Sequence, residues 1–130
     1  MRKTLLYDEV VSFETAVLAK TAGFDADCTL YYCEFEGQIV ISPNPCPKLC
    51  KIICVAPTQS LLQRWLREEK GLHISIISIP LHKGEYKYFW AIDSLNRKKK
   101  VDDIAYNLFD TYELALEDVL KYALKNMGLL

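Results

Sequence analysis

Between residues 56 and 92 the apolar positions change period twice. Leu61, Leu62, Trp65 and Leu66 recur at the spacing of one helical face, and Pro57-Thr58 before them supplies a start signal, since the threonine hydroxyl can accept from the unpaired N–H groups of a first turn. Gly71 predicts the stop, because glycine enters the left-handed conformation that closes a last turn without a Cβ clash. Residues 74–79 then carry apolar groups on both alternating faces, the pattern of an interior strand, and Pro80, which removes a ladder donor, marks the strand's end or a bulge. From Tyr86 the alternation is clean, with Tyr88, Trp90 and Ile92 on its side and Lys87, Phe89, Ala91 and Asp93 on the other. A turn at Lys83-Gly84 makes the two runs a β-hairpin after a helix.

The flanking pattern extends this reading. Ser12 caps a first helix to about Ala22, with Phe13, Ala16, Val17 and Lys20 on one stripe and Gly23 as the stop. Residues 28–35 and 38–41 favour strands, joined by Glu36-Gly37. Ser42-Pro43-Asn44-Pro45-Cys46-Pro47 fixes a stiff loop, and residues 48–55 form a short apolar strand. After a polar connection at 94–103, a strand at 104–108 leads to the strongest helical signal. There Asp110 or Thr111 caps a helix with Tyr112, Ala115, Leu116, Val119, Leu120, Ala123 and Met127 on one face, Glu117 four residues before Lys121, and Gly128 closing it. The expectation is one α+β domain over residues 1–130, with two layers: a mainly antiparallel sheet and three helices largely on one of its faces.

Composition changes the picture chiefly by exclusion. With 51% hydrophobic and 25% charged residues in 130, the chain can bury a core without staples. A net charge of -1 argues against a protein built to coat nucleic acid. The N-terminus is basic but meets Asp8 and Glu9 before any long apolar run, so no secretory signal is expected, and no run approaches the roughly 20 apolar residues a membrane helix needs. A cytoplasmic protein with no membrane partner and five reduced cysteines is the expectation.

Candidate chemistry is sparse. Cys46, Cys50 and Cys54 fall at equal spacing and are the basis for an alternative reading as a cysteine-based metal-binding or thiol-redox protein. They lack the tight Cys-x2-Cys knuckle of zinc sites, so buried structural thiols are the favoured reading and no metal or cofactor is expected. His73 and His82 sit at element ends, with no motif placing either beside a cysteine. No dinucleotide fingerprint, phosphate loop or nucleophile elbow occurs, so no catalytic residue is assigned and an enzyme is not expected. Two basic features remain as candidates for macromolecular contact: Arg64 with Arg67 on the central helix, and the run Arg97, Lys98, Lys99, Lys100. The run is best read as a solvated turn, with at most a weak local nucleic-acid contact.

The stretch Ala56-Pro57-Thr58-Gln59-Ser60-Leu61-Leu62-Gln63-Arg64-Trp65-Leu66-Arg67-Glu68, with Gly71-Leu72-His73-Ile74 and Thr111-Tyr112-Glu113-Leu114-Ala115-Leu116-Glu117, resembles a group of small uncharacterised proteins of phages and integrated mobile elements of gut bacteria. The resemblance runs mainly from Ala56 onward. It implies a genomic context and carries no catalytic residues across. The function expected is therefore that of a small non-enzymatic accessory protein of a phage or mobile element, an interaction module that binds another macromolecule, first of all a protein.

Overall fold

The structure, a computed structural model, describes residues 9–43, 50–94 and 103–127. Within these the order is α1 (Phe13–Thr21), β1 (Leu30–Phe35), β2 (Gln38–Pro43), β3 (Lys51–Val55), α2 (Gln59–Lys70), β4 (Leu72–Pro80), β5 (Tyr86–Ser94), β6 (Asp103–Phe109) and α3 (Tyr112–Lys125). Every strand pairing is antiparallel, and the fold is α+β. The strands divide between two three-stranded sheets, ordered β2-β1-β3 and β4-β5-β6, where the sequence pattern suggested one.

Local chemistry explains the boundaries. Ser12, Thr58 and Thr111 are the N-caps, each accepting from the backbone N–H three residues on, which satisfies a donor the helix cannot pair. Gly71 ends α2 at φ 67° and sends its N–H to the Leu66 carbonyl. The β1–β2 turn has Glu36 at φ 50° and Gly37 at φ 77°, the two positive φ angles that match a two-residue turn to the twist of its strands. α3 ends at Asn126, not at Gly128, which lies outside the described residues.

Three further expectations are corrected. On α1 the buried stripe is Thr15, Ala16 and Ala19, while Val17 stays exposed, because small side chains let α1 come close to α3. β4 is an edge strand: Leu72 and Ile74 are buried under the helices, but Ile77 on its other face is exposed. Glu117 does not pair with Lys121, whose Nζ lies 3.5 Å from Glu14 Oε2 on α1.

α2 and α3 cover the inner face of β4-β5-β6, where Trp90 and Ile92 of β5 are buried. α1 lies between α3 and β3 and so joins the first sheet to this layer. One cluster of buried side chains, including Tyr32, Cys54, Leu62, Trp65, Trp90, Val119 and Leu120, draws on both sheets and all three of these helices. The indole N–H groups at its margins are satisfied by carboxylates: Trp65 donates to Asp25 at 3.2 Å and Trp90 to Asp118 at 2.8 Å.

Candidate functional site

The segment before α1 runs along the start of α2. Val10 pairs with Thr58 in an antiparallel bridge, Val11 N–H donates to the Pro57 carbonyl at 2.9 Å, and Gln59 N–H donates to the Glu9 carbonyl at 2.8 Å. These bonds fill backbone positions that a helix start leaves open, and they bring the beginnings of α1 and α2 together. α3 begins beside them, because Gln59 Nε2 donates to the Glu113 carbonyl at 3.0 Å.

Glu117 ties the three starts into one unit. Its Oε2 accepts from Ser12 N–H at 3.1 Å, from Ser12 Oγ at 3.0 Å and from the Thr15 hydroxyl, and its Oε1 accepts from Gln59 Nε2 at 3.1 Å. A carboxylate here also meets the positive end of the α1 dipole. Tyr32 reaches in from β1 and donates its phenol to the Val11 carbonyl, with Phe13 edge-on at 5.4 Å. Its burial pushes the phenol above the usual tyrosine range, reinforced by the negative charges of Glu117 and Cys54.

Between these elements lies a cleft of about 400 Å³, lined by Glu9, Val10, Val11, Ser12, Tyr32, Gln59, Thr111, Glu113, Leu114 and Glu117. A smaller hollow of about 100 Å³ adjoins it across Glu9, Gln59 and Glu113. Among the described residues the lining contains no histidine, cysteine, lysine or arginine, and the Ser12 and Thr15 hydroxyls are committed to Glu117. That arrangement has no activated nucleophile, but it offers apolar surface and carboxylates to a bound group. The apolar part continues outside the cleft. Ile41 of β2 stands directly opposite Tyr32 in the register, so both point to the same face of the sheet, and Ile39 follows two residues away. Leu114 at 53%, Ile41 at 48% and Ile39 at 44% are exposed, as are Leu108 and Ile52 elsewhere on the molecule.

Of the residues singled out from sequence, the described arginines lie elsewhere. Arg64 and Arg67 are exposed on α2, and the Nε of Arg64 bonds Glu68 Oε1 at 3.1 Å, which neutralises much of its local field. Arg64 lines a separate hollow of about 320 Å³ beside Trp65, with Asp25, Glu68 and Glu69, and does not reach the cleft. Arg97, Lys98, Lys99 and Lys100 lie outside the described residues, as does Cys46. Cys50 is disulfide-bonded, which corrects the expectation of five reduced thiols, and Cys54 is a buried free thiol in β3. Among the described residues no group of three or more His, Cys, Asp or Glu side chains is arranged to hold a metal ion. No described helix is long and apolar enough to cross a membrane.

Sequence reasoning missed the cleft because its walls come from four segments far apart in the chain. One signal was present: Glu117 directly follows the buried Leu116, so a half-buried carboxylate there needed donors from another element. Searches against protein-family profiles, curated proteins and solved structures find no match to this chain.

Proposed function

We propose that this protein acts by binding another macromolecule, a protein partner, through the cleft at the three helix starts, and performs no catalysis of its own. The observation that carries this reading is the cleft's apolar lining at Val10 and Leu114, edged by Glu9 and Glu113, with the exposed Ile41 and Ile39 on the face of β2 that Tyr32 of the cleft wall shares. Contiguous exposed apolar surface with a polar rim is the usual mark of an interaction site on a soluble domain. The resemblance of the Ala56-Pro57-Thr58 stretch and the α3 start to phage and mobile-element proteins supports an accessory role in such an element, in the cytoplasm of its host.

The test is affinity capture from the cells that express the protein, run in parallel with Leu114→Arg and Ile41→Arg. A partner retained by the parent and lost with both variants is the expected result. A partner set unchanged by either substitution, or robust turnover in a broad hydrolase and transferase screen that one point mutation abolishes, overturns the reading.

A further inference from the structure

The charge distribution around the cleft specifies the chemistry of the partner, on the reading just proposed. Glu9 and Glu113 are exposed carboxylates on its wall, and Glu117 lies half-buried at its base. Among the described residues no lysine or arginine pairs with any of the three: Lys121 and Lys125 are engaged by Glu14, Lys87 by Asp110 and Arg64 by Glu68. On the sheet that continues the apolar surface, Glu34 stands opposite Ile39. Exposed apolar and anionic groups thus occur together at the cleft (Leu114 with Glu9 and Glu113) and on the adjoining strands (Ile41 and Ile39 with Glu34), a combination that attracts cations and also gains from covering hydrocarbon.

The geometry points to a docking site for a segment of a partner protein that carries Lys or Arg among apolar residues. Its apolar side chains cover Leu114 and Ile41, and its cations meet Glu9 and Glu113 at the rim. A long basic side chain suits this, since its methylene stem lies on apolar surface while its charged head stays with the carboxylates. A phosphate-bearing ligand is disfavoured at the same place, because these carboxylates repel it and none of the described lining residues offers a compensating cation.

The experiment is selection of a displayed random-peptide library on the purified protein, followed by affinity measurement and NMR mapping of the best peptide. The expected outcome is enrichment of Lys or Arg together with apolar residues, shifts at Val10, Ile41 and Leu114, and binding weakened about tenfold or more by the double substitution E9Q/E113Q, since two rim charges together are worth about that factor. Among the described residues Glu9 and Glu113 contribute their backbone carbonyls to the fold and their carboxylates to no hydrogen bond or ion pair, so this variant should remain folded. Acidic or uncharged enriched sequences, no enrichment at all, affinity unchanged in E9Q/E113Q, or duplex DNA shifting the same residues would each overturn the inference. If affinity capture still returns a partner that depends on Leu114 while the selected peptides carry no cation, the binding reading stands and this assignment of partner chemistry falls.

Discussion

Glu117 caps a helix that lies 105 residues away in sequence: its Oε2 accepts both the backbone N–H and the hydroxyl of Ser12, at 3.1 and 3.0 Å. Ser12 in turn accepts from Thr15 N–H, so the α1 cap is shared between its own residue and α3. Glu117→Ala removes the acceptor for Ser12, Thr15 and Gln59 at once. We expect a loss of about 2–3 kcal/mol in denaturant unfolding, the sum of a cap and part-buried donors left unpaired. Glu117→Gln should cost less, because the amide oxygen still accepts from Ser12. Equal stability of Glu117→Ala and the parent would show that these bonds are not what holds the helix starts together.

The centre of the core lies where α2 and α3 meet. Trp65 and Leu120 are 7% and 0% exposed, and Trp65 also stacks edge-on with Phe24 at 5.3 Å. Replacing either by Ala should destabilise by about 3 kcal/mol or more through lost burial and the residual cavity. Chemical denaturation decides it, and a shift under about 1 kcal/mol for both would mean that neither side chain fills the core as described.

Much of the fold is legible in the sequence where local signals agree with tertiary demand. Thr58, Gly71 and Thr111 mark helix ends in the chain and cap them in the structure, and Glu36-Gly37 announces a tight hairpin that forms with the expected positive φ angles. The division into two sheets was not legible, because strand pairing across the chain depends on register and on α1 standing between the layers. β4 reads as interior since Ile77 and Ile79 repeat on its second face, yet nothing in the local pattern states how many strands will flank it. The cleft was least legible of all. Local reasoning looked for clustered cations and singled out Arg64 and Arg67 with the run Arg97, Lys98, Lys99, Lys100, whereas the cleft that the fold assembles is anionic and apolar, built from Glu9, Tyr32, Leu114 and Glu117.

Tyr32 gives a pH signature. Its phenol is held above the ordinary value near 10 by burial first, and then by the charges of Glu117 and Cys54. The folded state therefore binds this proton more tightly than the unfolded chain. The contribution to stability is complete below the unfolded tyrosine pKa and is lost as pH rises through the folded one. Unfolding free energy should fall more steeply above about pH 10 for the parent than for Tyr32→Phe, where this proton is absent. Parallel slopes in denaturant titrations of the two proteins would contradict the assignment.

The cysteines should differ in reactivity. Burial pushes the Cys54 thiol up, with a smaller opposing effect from Lys20, and Cys33 is fully buried. Cys28 is half-buried and its thiol is likewise raised, by burial and by Asp27. Under native conditions an aromatic disulfide reagent should modify Cys28 slowly and Cys33 and Cys54 only on unfolding, because burial keeps the reagent from both and, at Cys54, also suppresses the thiolate that reacts. Fast native labelling of Cys54, located by peptide mass, would show that β3 is open at that point.

The claim that the cleft is the binding surface is tested most directly by site-specific photo-crosslinking in the expressing cells, with a photoreactive residue placed in turn at Leu114, Ile41 and Arg67. All three positions are exposed, but only the first two lie on the proposed surface. Leu114 and Ile41 should capture the same protein, and Arg67, exposed on α2, should not. Capture from Arg67 alone, or the same capture from all three positions, would contradict it.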